Sequence, residues 1–117
     1  MSSYNPKVVT AFFSEYGIPE PEYEYKFHPM RKWRFDLAWI NIPAEQAGEF
    51  YSCKPQVAIE VQGGLFVAGR HNRGAAMLKE CEKLNEAAAM GWRILYCQPR
   101  DLCTFAFVST LKRALNL

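Results

Sequence analysis

The acidic residue Glu60 lies in the middle of a segment that is otherwise typical of a buried β-strand. The apolar run 57–59 precedes it, Val61 follows it, and the double glycine Gly63-Gly64 ends the segment. Strand alternation places Glu60 and Gln62 on the same face. A buried carboxylate is unfavourable unless it is paired with a cation or holds a metal. The segment therefore predicts a strand that ends at a functional site; the alternative is a sheet-edge residue paired with Lys or Arg.

A second acid, Asp36, lies in the aromatic segment 31–42, RKWRFDLAWINI, which alternates as a strand does. One predicted face carries Trp33, Phe35, Leu37 and Trp39, and the other carries Arg34, Asp36 and Ala38. Two neighbouring strands of this kind can bring Asp36 close to Glu60. Such a pair repels unless a cation lies between the carboxylates, and Mg²⁺ is usually held by one or two carboxylates with waters and substrate phosphates. The two acids therefore predict a divalent-metal site.

Length and composition are those of one folded domain spanning residues 1–117. Half of the residues are apolar and 15% are aromatic, which argues against a disordered chain. No apolar run is long enough to span a membrane, and the first residues, MSSYNPKVV, lack the apolar core of a signal peptide. We therefore expect a cytoplasmic protein. The net charge of +2 neither requires nor excludes nucleic acid as a partner.

The cysteines and histidines argue against several kinds of site. The four cysteines show no CxxC spacing, which disfavours a zinc site, and a cytosolic chain keeps no disulfide framework. We expect Cys81 and Cys97 to be thiols of the core. With His28 and His71 as the two histidines, a histidine-rich metal cluster or a Ser-His-Asp triad has no supporting spacing.

Local signals predict the element order helix, strand, strand, strand, helix, strand, helix. Asn5-Pro6 is a suitable cap and first turn for a helix over 4–16, which Gly17 ends. The predicted strands lie within 23–28, 31–42, 55–64 and 92–98, and the other helices are expected over 74–89 and from Pro99 to Leu115. The first two strands are expected to form a hairpin. Residues 43–54 are predicted to be a loop or insertion.

The predicted hairpin carries the main basic patch of the chain. Its members are Lys26, His28, Arg31, Lys32 and Arg34, interleaved with Phe27, Trp33 and Phe35. Basic residues interspersed with aromatic ones suit contact with phosphates and stacking on bases or sugars. The alternative is a two-faced strand whose aromatic residues form core and whose cations are only solvated.

The segment 65–74, LFVAGRHNRG, follows the Glu60 strand and carries three candidate phosphate contacts, Arg70, His71 and Arg73. Loops at the carboxyl end of a sheet strand are frequent places of substrate contact. His71 is predicted to be a general acid–base or a phosphate ligand, with a surface or capping histidine as the alternative.

The helix over 74–89 has two candidate inward faces. Apolar spacing predicts a buried stripe of Met77, Leu78, Cys81, Leu84 and Ala88. Arg73, Glu80 and Lys83 share a polar side that can face the site. The alternative is that this polar side, like Lys79, Glu82 and Glu86, is solvated.

An α-β-β-β-α-β core with Asp on the second strand and Glu-x-polar on the third resembles the PD-(D/E)xK nuclease superfamily. The nearest resemblance is to small phage- and prophage-encoded endonuclease-like proteins, through EYKFHPMRKWRFDLAW, VAIEVQGG, GRHNRG and CEKLNEAAAMGWRIL. It covers roughly residues 22–98. The resemblance implies an α/β fold with a restriction-endonuclease-like core, a mixed central sheet and a C-terminal helix, in the cytoplasm of a bacterial host if the protein is phage-encoded.

Residue by residue, the resemblance implies that Asp36 and Glu60 are the two metal-binding acids, with Glu24 as an additional acid on the metal side or a salt-bridge residue. Gln62 stands where the superfamily often has lysine. A glutamine can hydrogen-bond a water but supplies no charge. Either Lys83 replaces that lysine from the neighbouring helix, or the protein binds DNA without cutting it.

The implied function is a Mg²⁺- or Mn²⁺-dependent DNA endonuclease. Asp36 and Glu60 would hold the metal, Gln62 and Lys83 would orient the attacking water or the phosphate, and His71, Arg73 and the basic hairpin would bind the flanking backbone. Resolution of branched DNA would favour a homodimer, because a two-fold axis pairs two cuts. The alternatives are a non-catalytic DNA-binding or phage assembly protein that keeps the fold, and a structural domain whose buried acids are salt-bridged.

Overall fold

One four-stranded sheet forms the centre of the α/β fold that the computed structural model describes over residues 4–40, 56–62 and 70–117. The strands are β1 (Glu22–Lys26), β2 (Arg34–Trp39), β3 (Gln56–Val61) and β4 (Trp92–Cys97). The helices are α1 (Pro6–Glu15), α2 (Arg70–Ala89) and α3 (Phe105–Ala114), with a 3₁₀ turn at Pro99–Asp101. Within these ranges the predicted order of elements is confirmed.

Several predictions concern parts of the chain outside this description. They are the loop over 43–54, the double glycine at 63–64, and the first five residues of the 65–74 segment. The backbone of residues 70–73, 75 and 76 belongs to α2, but their side chains are also outside it. Among the helices that are described, none combines the length and the apolar character that crossing a bilayer requires.

The sheet is mixed, with the strand order β1-β2-β3-β4. The predicted hairpin of β1 and β2 is confirmed, β2 and β3 are also antiparallel, and β3 and β4 are parallel. A parallel pair requires a long crossover connection, and the chain between β3 and β4 contains α2. This topology places the carboxyl ends of β3 and β4 side by side, and such ends are a preferred place for ligands in α/β proteins.

One face of the sheet packs against α1 and α3. The core on this side contains Val9, Phe13, Ile18, Leu37, Trp39, Val57, Ile59, Leu102, Val108, Leu111 and Leu115. Helix α1 begins as predicted, because the Asn5 side chain accepts a hydrogen bond from the Lys7 N–H at 2.9 Å and Pro6 occupies the first turn. It ends at Glu15, and Gly17 follows with a φ of +75° that suits a residue without a side chain. The first core therefore fixes one side of the strands that carry the acids.

The other face of the sheet packs against α2 through small and aromatic residues. Ala38, Ala58 and Ala87 are fully buried there, and they let the helix approach the strands closely. Phe27, Phe35 and Trp92 complete this second core, with the Phe27 and Phe35 rings stacked at a centroid distance of 4.1 Å. Glu60 lies on this same face of β3, two residues from Ala58, so α2 covers it.

The hairpin changes faces in its middle, and the predicted simple alternation of β1 and β2 is wrong there. Tyr23 and Leu37 belong to the first core, whereas Tyr25 and Phe35 belong to the second. Between Tyr23 and Tyr25, Glu24 has a φ of +52°, a conformation that residues other than glycine rarely adopt. This turn of the backbone lets the outer half of the hairpin pack over the α2 side of the sheet.

The buried stripe predicted for α2 is wrong. Leu78 is 74% exposed, and Met77 and Cys81 are also exposed, as is Ala88. Among the α2 side chains that are described, Ala87 is fully buried, and Glu80, Lys83 and Leu84 are among the partly buried ones. Glu80 and Lys83 of the polar side therefore face the sheet, and Lys83 contacts the buried Glu60 there.

The last helix begins later than predicted. Pro99–Asp101 forms a 3₁₀ turn of its own, and α3 starts at Phe105 after Thr104, whose hydroxyl oxygen accepts a hydrogen bond from the Phe107 N–H at 3.3 Å. The reason is the capping of Thr104, which satisfies an N–H group of the new first turn. Val108, Leu111 and Leu115 are buried at this end of the chain.

Candidate functional site

Glu60 is the one charged side chain that is buried among the described residues, with 4% of its surface exposed. It occupies the fifth position of the six-residue strand β3, near the carboxyl end of that strand. Apolar neighbours on the strand make the position a core position, so a carboxylate there requires a partner.

The partner of Glu60 is Lys83 of α2. The Lys83 ammonium donates a short hydrogen bond to Glu60 Oε1, and its side chain is 13% exposed. Lys83 Nζ also lies 5.4 Å from the centroid of the Phe35 ring. The structure thus brings together two predicted site residues from a strand and a helix that are 23 positions apart.

Asp36 lies beside Glu60 on the neighbouring strand. The β2–β3 register pairs Leu37 with Ile59, so the next position along both strands sets Asp36 against Glu60. Asp36 Oδ2 accepts a hydrogen bond from the Val61 backbone N–H at 2.7 Å. Val61 directly follows Glu60, so this hydrogen bond fixes the Asp36 carboxylate beside Glu60. The two acids therefore lie together at one end of the β2–β3 pair.

The surroundings of Glu60 make its carboxyl group much easier to protonate than an ordinary glutamate. Burial raises the pKa of Glu60 to about 7; the hydrogen bond and charge of Lys83 lower it, and the charges of Asp36 and Glu80 raise it. One lysine therefore does not offset both the loss of water and the two nearby carboxylates. A divalent cation would supply the missing positive charge.

Glu80 is a further acid at this place, one helical turn before Lys83 on α2. The sequence places Glu80 on the polar side of the helix but assigns it no role. Its Oε2 atom is buried and has no hydrogen-bond partner. An unpartnered buried carboxylate oxygen is unfavourable, and in native proteins it often marks a place for an ion, a water or a substrate.

Gln62 and Tyr96 line a shallow cavity next to the acids. The cavity has a volume of about 250 Å³ and is bounded by Gln62, Tyr96, Cys97, Gln98 and Asp101. The Gln62 N–H donates to the Cys97 carbonyl oxygen at 2.8 Å, which places the cavity at the carboxyl ends of β3 and β4.

Tyr96 is a neighbour of the acids that has no assigned role in the sequence prediction. It pairs with Glu60 in the β3–β4 register. Burial raises the pKa of Tyr96 to about 12, and the charges of Glu80 and Glu60 add to that rise. The sequence could have indicated Tyr96 only through strand alternation, which places it on the same face of the last strand as Ile94 and Gln98.

The remaining predicted acid, Glu24, neighbours Asp36 rather than Glu60. The β1–β2 register places it across from Asp36, between the pairs Tyr23–Leu37 and Tyr25–Phe35. Glu24 is exposed, and its charge, after burial and after Asp36, contributes to a raised pKa of Tyr4. Its role as an additional metal-side acid stays a prediction.

The basic hairpin is divided between protein contacts and solvent. His28 has partners at both ring nitrogens: Nδ1 accepts the N–H groups of Met30 and Arg31, and Nε2 bonds Glu86 of α2 at 3.0 Å. Arg31 binds Glu82 of α2, and its guanidinium carbon lies 4.0 Å from the centroid of the Trp33 ring.

The other three cations of the hairpin, Lys26, Lys32 and Arg34, are exposed. Arg70, His71 and Arg73 lie in the first turn of α2, and their side chains fall outside the described residues. The predicted catalytic role of His71 and the predicted DNA contacts of the two arginines are therefore still predictions.

Comparison of the chain with protein-family models, with curated proteins and with solved structures gives no match. The resemblance to the PD-(D/E)xK superfamily thus remains a prediction drawn from residues. The geometry of the site is the remaining basis for a functional assignment.

The carboxylates at this site are of the ligand type that hard divalent cations prefer. Asp36, Glu60 and Glu80 offer carboxylate oxygens, which are the ligands that Mg²⁺ and Mn²⁺ prefer, and Glu80 Oε2 is unpartnered. As positioned, no group of three or more His, Cys, Asp and Glu side chains within the described ranges could hold a metal ion. Two carboxylates with waters and substrate phosphates are a usual set for Mg²⁺.

Proposed function

We propose that this protein is a metal-dependent DNA endonuclease with a restriction-endonuclease-like core. The observation that carries the proposal is the buried contact between Glu60 and Lys83 next to Asp36, at the carboxyl end of β3. Two acids can hold a divalent ion, and a lysine on an adjacent element can stabilise the negative charge of a phosphate. The superfamily's lysine position on β3 is occupied by Gln62, and Lys83 supplies the cation from α2 instead.

Asp36 and Glu60 would hold the Mg²⁺ or Mn²⁺ ion, with Glu24 as an additional acid on the Asp36 side. Such an ion, when bound, lowers the pKa of a water and stabilises negative charge on the phosphate. Asp36 is already oriented, because its Oδ2 is fixed by the Val61 N–H. A ligand held in this way changes position little on binding, which favours affinity.

Lys83 and Gln62 act on the substrate. The Lys83 ammonium has three donors, of which Glu60 accepts one, and its charge can stabilise the negative oxygens of the phosphate in the transition state. The Gln62 amide is at the end of β3 and can orient a water by hydrogen bonding. Phe35 and Ala87 exclude solvent on the α2 side, so that these interactions act in a medium of low dielectric constant.

DNA is the proposed substrate because exposed cations lie on the hairpin that extends from β2. Lys26, Lys32 and Arg34 are free to meet phosphates, while His28 and Arg31 fix the hairpin to α2. Phosphate contacts of this kind give affinity that falls as salt concentration rises.

A non-catalytic DNA-binding or phage assembly protein is the second candidate. The observation in its favour is the ion pair itself, because Lys83 occupies a Glu60 oxygen that a metal ion would need. In that case Lys83 serves to neutralise Glu60 and the acids have only a structural role. Only the first candidate requires metal-dependent cleavage of DNA.

A cleavage assay separates the two candidates. We expect the wild-type protein to cut branched, linear or single-stranded DNA only when Mg²⁺ or Mn²⁺ is added. Asp36→Ala and Glu60→Ala should each lower the rate by at least about 1,000-fold, because each removes a metal ligand and its transition-state charge stabilisation.

Glu22→Ala is the matched control, since Glu22 is an exposed acid of β1. It should leave cleavage unchanged. Cutting that persists in both acid variants would exclude this site, and binding without cutting by the wild type would favour the second candidate.

A further inference from the structure

Glu80 is an acid of the site to which the proposed function assigns no role. It lies on the inward side of α2, three residues before Lys83, and its Oε2 is buried without a hydrogen-bond partner. Glu60 Oε1 accepts from Lys83 and Asp36 Oδ2 accepts from the Val61 N–H, whereas Glu80 Oε2 is a buried oxygen without a donor among the described residues.

The neighbours of Glu80 indicate which end of the sheet it faces. Lys83, one turn further along α2, contacts Glu60, so this side of α2 lies over the carboxyl end of β3. The charge of Glu80 acts on both Glu60 and Tyr96, which are paired in the β3–β4 register, in agreement with that position. Gln62 and Tyr96 border the cavity at the same end of these strands.

A buried carboxylate oxygen without a hydrogen-bond donor lowers stability, and a glutamine at position 80 would lower it less. A carboxylate is an acceptor only, and without a donor it loses its water hydrogen bonds on folding. A neutral amide at the same place loses less. A carboxylate at a place that disfavours it is typical of a functional site.

We propose that Glu80 is a further catalytic residue, whose free carboxylate oxygen accepts a hydrogen bond and then a proton from the water that attacks the phosphate. This assignment rests on the proposed nuclease function. Because Mg²⁺ is usually held by one or two carboxylates, which Asp36 and Glu60 provide, Glu80 is assigned to the water and not to the metal.

The step is a hydrolysis with the following balance. The water oxygen forms a bond to phosphorus while the bond from phosphorus to the leaving oxygen breaks. One water proton moves to Glu80 Oε2, and the leaving oxygen takes up a proton from solvent. Glu80 then returns its proton to solvent, so that one water is consumed and no redox partner is needed.

Glu80→Gln is the test, because it keeps the shape and one acceptor oxygen but removes the ability to take a proton at a carboxylate. We expect kcat to fall about 100-fold, as loss of a general base does, with KM within about threefold of wild type. Mn²⁺ affinity by calorimetry should stay within about threefold, and the melting temperature should be equal or higher, because an unpartnered charge is removed.

Glu15→Gln, the same chemical change at an exposed position of α1, is the control and should leave all four quantities unchanged. A Glu80→Gln protein that cuts as fast as wild type overturns the inference, and so does one whose Mn²⁺ affinity falls as far as that of Asp36→Asn, which would make Glu80 a metal ligand. If the wild type binds Mn²⁺ and DNA but cuts nothing, the proposed function fails, and Glu80 fails with it. If the wild type cuts DNA and the Glu80→Gln protein cuts it equally fast, only the role of Glu80 is overturned.

Discussion

Replacing Lys83 by methionine is expected to lower the free energy of unfolding by about 3 kcal/mol at pH 8 and by much less at pH 5. The reason is that Lys83 is the cation that opposes the burial of Glu60. Methionine has a similar length without charge, so packing is largely kept. Removing one member of a buried pair leaves the other charge uncompensated, which is far more costly than removing both.

The dependence on pH follows from the raised pKa of Glu60, which burial sets at about 7 against an ordinary value of 4.5. A folded-state pKa above the unfolded value means that the folded protein binds more protons, so the contribution of Glu60 to stability is present below about 4.5 and is lost as pH rises through about 7. Without Lys83 the folded-state pKa rises further, and the loss continues to higher pH. At pH 5 Glu60 is protonated in the folded state of both proteins.

Urea unfolding at the two pH values, without divalent metal, measures the effect. Lys79→Met is the matched control, because Lys79 is exposed on the same helix. It should change stability little at either pH. Equal losses at pH 5 and pH 8 for Lys83→Met would contradict the assigned role of Lys83.

Replacing Phe35 by alanine is expected to lower the free energy of unfolding by about 4 kcal/mol. Phe35 is fully buried, its ring stacks on Phe27 with an interplanar angle of 8°, and it lies 4.9 Å from the Trp92 ring centroid. Deleting it leaves a cavity among the rings that fix the outer hairpin to the α2 side. Because Lys83 lies over the same ring, the variant should also loosen the contact with Glu60.

Phe105→Ala is the control for Phe35→Ala, since Phe105 is 69% exposed at the start of α3. It should cost less than about 1 kcal/mol, as surface substitutions do. The stability losses of the two variants are compared from their urea midpoints, with the same slope m for both. Similar losses for the two variants would mean that Phe35 does not form part of a core beneath the site.

Much of the fold could be predicted from local signals in the sequence. Asn5, Pro6 and Gly17 set the ends of α1 because capping and positive φ depend on residue type alone. The hairpin and the buried strand β3 follow from short apolar runs, and Asp36 and Glu60 stand out because acids are unusual in such runs. These two residues are brought together by the register of β2 and β3.

The inward face of α2 was not predictable from apolar spacing. Spacing favoured Met77, Leu78 and Cys81, yet these three are exposed, whereas Ala87 is buried and Lys83 lies against the sheet. Lys83 is instead on the side of α2 that faces the sheet, where its ammonium contacts the buried Glu60. That contact depends on Glu60, which is distant in the sequence.

The change of face in the hairpin was not predictable either. It depends on the positive φ of Glu24, and glutamate carries no local signal for that conformation. The burial of Glu80 Oε2 likewise arises only when α2 has packed, so no sequence pattern announces it. Long-range packing therefore determined the features on which the proposed chemistry most depends.

A crystal soaked in Mn²⁺ tests the central claim most directly, through an anomalous difference map. The account predicts one peak bound by carboxylate oxygens of both Asp36 and Glu60, and no peak in crystals of Asp36→Asn. A map with no peak at these acids, and with Glu60 still bonded to Lys83 alone, would contradict it.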